Sequence, residues 1–88
     1  MRLIEKEMLN AINNGYNWSK DNTQVVHING IAQVYLHGNN IASIYGDVEP
    51  NKATLRKWPT PTTKSRLRAL GINVYTKNYV TYIDGEAI

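Results

Sequence analysis

The chain of 88 residues contains no cysteine and no phenylalanine, only three prolines, and no apolar run longer than three residues. The absence of cysteine excludes disulfides, zinc fingers, iron–sulfur clusters and thiol catalysis. The short apolar runs exclude a transmembrane helix, which needs about 20 apolar residues in succession. Charges at Arg2 and Glu5 come too early for the apolar segment of a signal peptide. We therefore expect a single domain over residues 1–88, inside the cell and without membrane contact.

Acidic residues are also missing from one long stretch, between Glu49 and Asp84. Residues 1–51 carry three basic and five acidic side chains, a net charge of −2. Residues 52–88 carry seven basic and two acidic side chains, a net charge of +5. This asymmetry indicates an anionic partner for the second half of the chain. The alternative interpretation is a basic surface that is merely solvated.

The spacing of apolar and turn residues predicts an α+β fold: an antiparallel sheet with two helices, in the order α-β-β-β-(β)-α-β-β. Apolar residues at helical spacing predict a first helix over residues 2–14. Asn29-Gly30 between β-branched runs predicts a hairpin of strands 23–28 and 31–36. The remaining predictions are a polar connection over 16–22, a strand over 41–45, a loop or irregular edge over 46–51, a fourth short strand over 53–58, and a final hairpin of strands 72–76 and 79–83.

Thr60-Pro61 predicts the start of the second helix, over residues 62–70, because threonine is a favoured N-cap and proline a favoured first residue. A helix N-terminus presents unpaired N–H groups and a partial positive charge that suit a phosphate. Hydroxyl and cationic side chains surround this start. The predicted residues for binding nucleic acid or another partner are Arg56, Lys57, Thr60, Thr62, Thr63, Lys64, Ser65, Arg66, Arg68 and Lys77. The alternative is a well-capped helix whose arginines are solvated.

The aromatic residues are six tyrosines and two tryptophans. Tyr75, Tyr79 and Tyr82 lie in the last hairpin, where they could stack on the bases of a single strand or simply stabilise the hairpin. Trp58 is expected to anchor the core. The two histidines have no nearby cluster of acids, and sequence patterns of nucleophilic, phosphate-loop and metalloprotease sites are absent. We expect no catalytic residues, no metal and no cofactor.

Three segments resemble a group of small accessory proteins encoded by tailed bacteriophages. They are Ile4–Ile12, Tyr35–Ala42 (YLHGNNIA) and Trp58–Gly71 (WPTPTTKSRLRALG). The resemblance covers most of the chain and implies a phage protein that acts in the host cytoplasm. It brings no functional residues with it, because the group has no settled activity.

These observations favour a non-enzymatic protein that binds DNA or RNA by backbone contacts through the basic helix. The alternative is a protein-binding inhibitor or modulator of a host enzyme or defence complex, which the many tyrosines and tryptophans also fit. A third possibility is an assembly role through an exposed strand edge. We expect the protein to be a monomer or a homodimer.

Overall fold

The computed structural model describes all of residues 1–88 and contains two antiparallel sheets and three helices. In the larger sheet each strand pairs with the next one along the chain, as short turns between antiparallel neighbours require. Its strands are β1 (Trp18–Lys20), β2 (Thr23–Ile28), β3 (Ile31–Leu36), β4 (Asn39–Ile44) and β5 (Val48–Pro50). β1 and β5 are therefore the two edges of this sheet.

The hairpin of β2 and β3 has the bounds that the sequence predicts. Ile28 lies opposite Ile31, and the two residues between them, Asn29 and Gly30, have φ angles of 52° and 78°. Positive φ at both central residues is the geometry that a two-residue turn needs to match the twist of its strands. Alternate residues of β3 then enter the core, and the buried ones are Ala32, Val34 and Leu36.

Three helices surround this sheet. Helix α1 (Leu3–Asn14) contacts β2 and ends at Gly15, whose φ of 71° is left-handed. Helix α2 (Lys52–Lys57) follows β5, and helix α3 (Pro61–Ala69) begins after Thr60, which caps it as predicted. None of the three helices is both long enough and apolar enough to cross a bilayer.

The chain ends in a separate three-stranded sheet of β6 (Val74–Lys77), β7 (Val80–Ile83) and β8 (Glu86–Ala87). Val74 lies opposite Ile83, and both are buried, so this face of the small sheet joins the core. Helix α3 packs against β6. The thirteen buried apolar residues form one cluster, to which all three helices and both sheets contribute.

The α+β class and the antiparallel sheet are confirmed, but the predicted strand over residues 53–58 is wrong. These residues belong mainly to α2. The side chain of Asn51 accepts a hydrogen bond from the backbone N–H of Thr54 at 3.1 Å and so caps a helix start. Leu55 is the buried residue of this helix, and it alone anchors the segment to the core.

Besides β8, two further segments contain strands that the sequence did not predict. The connection over 16–22 includes β1, because Trp18 pairs with Val25 and packs against the core. The irregular edge over 46–51 includes β5. Pro50 lies in this edge strand, where its missing N–H is tolerated.

Candidate functional site

Threonine hydroxyl groups cap the N-terminus of α3. The Thr60 Oγ1 atom accepts a hydrogen bond from the backbone N–H of Thr63 at 3.2 Å, and the two threonine hydroxyls lie 2.9 Å apart. Thr63 is buried. The hydroxyls of Thr60 and Thr63 therefore serve the helix cap, with Thr63 almost fully buried and Thr60 still exposed beside the cleft described below.

Arg66, predicted as a phosphate contact, lies inside the molecule with only 3% of its surface exposed. Its Nη1 donates to the Glu5 carboxylate at 2.8 Å, its Nε to the Thr23 hydroxyl at 3.0 Å, and its Nη2 to Asn22 at 3.4 Å. The Ser65 hydroxyl donates to the same Glu5 oxygen at 2.5 Å. This network joins α3 to α1 and the β1–β2 turn, so both Arg66 and Ser65 have structural partners, and buried Arg66 is not part of the surface.

Glu5 is the acidic centre of this network. Burial alone would raise the pKa of its carboxyl, but hydrogen bonds from Ser65, Arg66 and the Arg2 backbone N–H, together with the Arg66 charge, hold the pKa of Glu5 below its usual value of 4.5. Every buried polar side-chain atom of the chain has a hydrogen-bond partner. The charges therefore neutralise each other inside the fold and are not available to an external partner.

The cations of α2 lie on the surface. Lys52, Arg56 and Lys57 are exposed, and the Lys57 Nζ atom lies 5.6 Å from the centre of the Trp58 ring. Trp58 was expected in the core, but 47% of its surface is exposed. An exposed tryptophan face beside a lysine can accept a cation or stack on a flat ligand. We call Lys52, Arg56, Lys57 and Trp58 the α2 patch.

A second set of cations lies where α3 meets the small sheet. The Lys64 ammonium donates to the Thr76 hydroxyl, and the Arg68 Nε donates to the Val74 carbonyl oxygen at 2.8 Å. Lys77 is exposed at the end of β6, and strand alternation places it on the other face of the small sheet from Thr76. We call Lys64, Arg68 and Lys77 the α3–β6 patch. Lys64 and Arg68 each keep donors beyond those in these bonds, since an ammonium has three and a guanidinium five.

A cleft of about 380 Å³ opens at the start of α3. It lies between the β3–β4 turn, α2 and α3, and its lining includes His37, Asn39, Thr54, Trp58 and Thr62. Thr62 is half-buried in this lining. Polar side chains and one tryptophan ring thus border a concave surface next to the α2 patch.

A family model described as Kyanoviridae Gp96 protein matches residues 1–88. The chain belongs to this family. Kyanoviridae are phages, so the resemblance of this chain to small phage-encoded proteins is confirmed. No curated protein and no solved structure matches the chain.

In this Gp96 family member, the structure divides the ten predicted binding residues into two groups. Thr63 and Arg66 are buried, whereas the other eight lie wholly or partly at the surface, although Thr60 and Ser65 bond within the cap and the Glu5 network. A helical stripe of Thr63, Arg66, Leu67 and Leu70 could have predicted the burial of Arg66, because positions i, i+3, i+4 and i+7 share one face. Lys52 is a surface cation that the predicted set missed.

Proposed function

We propose that this phage protein binds nucleic acid through contacts between its surface cations and the phosphate backbone. The carrying observation is that six of the seven cations after residue 51 are wholly or partly at the surface, with no acidic residue between Glu49 and Asp84. These six are the cations of the α2 patch and the α3–β6 patch. None of these six cations forms a salt bridge with an acidic side chain, so their charges stay available to attract phosphates.

The size of the effect follows from the number of phosphates contacted. Six cations on two patches allow three or four simultaneous phosphate contacts, so the slope of log K against log salt is expected to be about −3 on duplex DNA. Between about 50 and 200 mM salt the affinity should then fall about 60-fold. Fluorescence anisotropy with duplex DNA, single-stranded DNA and RNA at these two concentrations measures both the slope and the preferred strand type.

A matched pair of double variants locates the contacts. Arg56→Gln with Lys57→Gln removes two charges from the α2 patch, and Lys6→Gln with Lys20→Gln removes two charges from the acidic half. Both variants have the same net charge, so a non-specific charge effect would weaken them equally. We expect the first to lower affinity about tenfold on every sequence tested and the second to lower it less than about twofold, because phosphate contacts carry no sequence information. Equal loss in both would contradict the proposed site.

A protein partner is the second candidate function, and exposed Trp58 favours it. Tryptophan is enriched among the residues that dominate protein interfaces, and here 47% of the Trp58 surface is exposed. A partner of this kind would be a host enzyme or defence complex with an acidic surface. Capture from bacterial lysate with and without nuclease tests it: a stoichiometric protein that survives nuclease and is lost on Trp58→Ala supports this second function.

A further inference from the structure

The tip of the β6–β7 hairpin carries a tyrosine in an unfavourable backbone conformation. Lys77 lies opposite Val80, so Asn78 and Tyr79 are the two central residues of the turn, with φ angles of 51° and 65°. Left-handed angles are easy for asparagine but costly for a bulky residue. The side chain of Tyr79 is nevertheless fully exposed, so no packing in this chain offsets the cost.

Three other turns in the same chain use glycine at this position. The turns Asn29-Gly30, His37-Gly38 and Asp84-Gly85 all have two central residues with positive φ and a glycine as the second. Glycine adopts this conformation without a steric penalty. Tyr79 is thus the exception among four turns of the same geometry. Strain of this kind, observed at a surface position, points to a use for the side chain outside the fold.

The surroundings of Tyr79 indicate what its ring meets. Tyr75 and Tyr82 lie directly opposite each other on β6 and β7, with ring centres 5.2 Å apart and planes at 10°, and are therefore stacked. Lys77 has the same strand parity as Tyr75, so it lies on the same face of the sheet. Aromatic rings beside a cation are the arrangement that holds a single strand, with bases on rings and phosphate on the cation.

We infer that the β6–β7 tip binds single-stranded nucleic acid, with Tyr79 stacking on an unpaired base and Lys77 contacting a phosphate. This inference rests on the proposed nucleic-acid function and specifies its substrate class. In a duplex the base faces are already stacked on each other, so an exposed ring has nothing to stack on. The acids Asp84 and Glu86 lie beyond the far end of β7, at the opposite end of the hairpin from Tyr79.

The decisive variant is Tyr79→Gly. Glycine removes the ring and suits the turn, so the variant is expected to unfold at the same temperature as the parent or higher. Against an oligothymidylate of about 15 nucleotides, affinity should fall about 5- to 100-fold, the factor that one base–aromatic stack contributes. Affinity for a duplex of the same length should change less than about twofold. Tyr79→Trp should retain single-strand affinity, because it keeps a stacking ring.

Tyr45→Ala is the matched control. Tyr45 is also an exposed tyrosine, at the turn between β4 and β5, but it bonds to Glu49 and lies beside Asp47. Its loss should leave single-strand affinity unchanged. Photocrosslinking of a bromodeoxyuridine oligonucleotide, followed by mass spectrometry, should give an adduct on Tyr79 in the parent. Running oligouridylate beside oligothymidylate tells whether the strand is RNA or DNA.

The outcomes separate this inference from the proposed function. If the parent binds with the expected salt dependence but Tyr79→Gly binds the single strand equally well, the stacking inference is overturned while the proposed function stands. The same conclusion follows if Tyr79→Gly weakens duplex and single strand alike, since the tip would then be a general contact. If the parent binds no nucleic acid at about 50 mM salt, both fail together.

Discussion

At the scale of single residues, the stability of the fold depends on the buried pair of Arg66 and Glu5. Each has almost no surface exposure, and they form an ion pair at 2.8 Å between α3 and α1. Removing two charges from water costs several kcal/mol, and the pair compensates for this only because Thr23, Ser65 and Asn22 complete its hydrogen bonds. The stabilising effect of the pair is therefore modest, but the loss of one partner is severe.

We predict that Arg66→Ala lowers the free energy of unfolding by about 3–5 kcal/mol, because the Glu5 carboxylate is left buried without its counter-charge. Urea unfolding measures this change. The double variant Arg66→Met with Glu5→Leu should recover most of the loss, since apolar residues of similar volume carry no charge to desolvate. A loss below about 1 kcal/mol in Arg66→Ala would show that the buried pair is not the link between the helices.

The lowered pKa of Glu5 predicts a pH dependence of stability. Its folded-state pKa lies below the unfolded value of 4.5, so its contribution is fully present above pH 4.5 and is lost as the pH falls through the folded-state pKa. The free energy of unfolding should thus fall as the pH drops below about 5. Glu5→Gln should be less stable at pH 7 and show a flatter curve in this window. If the unfolding free energy of Glu5→Gln falls with pH as steeply as that of the parent, other carboxyl groups cause the acid sensitivity.

At the scale of elements, the sequence predicts the helices and strands whose ends are set by a few adjacent residues. The β2–β3 hairpin and the start of α3 follow from Asn29-Gly30 and Thr60-Pro61, which dictate their own backbone geometry. Helix α2 was missed because six residues with one buried side chain, Leu55, fit a strand and a helix equally well. Its packing and its cap at Asn51 decide between the two, and neither is visible as periodicity.

We predict that Asn51→Ala destabilises α2 and lowers the free energy of unfolding by about 1 kcal/mol, because the Thr54 N–H loses its side-chain acceptor. Asn51→Ser keeps an acceptor and should lose less. Since α2 carries Arg56 and Lys57, the alanine variant should also weaken nucleic-acid binding at unchanged net charge. Thermal unfolding and fluorescence anisotropy on the same two variants measure the two effects. If Asn51→Ala is destabilised but binds nucleic acid as well as the parent, the α2 patch is not part of the binding site.

The candidate site could be predicted in part for the same reason. Its charge asymmetry is a property of composition, so the basic second half is visible in the sequence. Which cation is free is a property of packing: Arg66 lies on the same helix as Lys64 and Arg68, but its partner Glu5 is 61 residues away. The strained turn at Tyr79 also has no local signal, because only the backbone angles distinguish it from an ordinary loop.

At the scale of the whole molecule, the packing between the small sheet and the large sheet determines whether the two unfold as one cooperative unit. The small sheet shares no strand pairing with the large sheet, but its buried residues Val74 and Ile83 belong to the same core cluster as Met8 and the buried residues of the large sheet. Three strands are near the minimum for independent stability, and these have only two to four residues each. The small sheet therefore depends on α3 and the shared core.

We predict that Val74→Ala destabilises both sheets together, by about 2 kcal/mol, the transfer and cavity terms for a buried valine side chain. Hydrogen exchange of backbone amides in β3 and β6 measures the two sheets separately. If the two sheets share one core, the protection of the β3 and β6 amides from exchange should fall by the same factor, because all of them would exchange through global unfolding. If only β6 amides lose protection, the β6–β7 hairpin opens on its own, and Tyr79 is then presented by a unit that can move against the α2 patch.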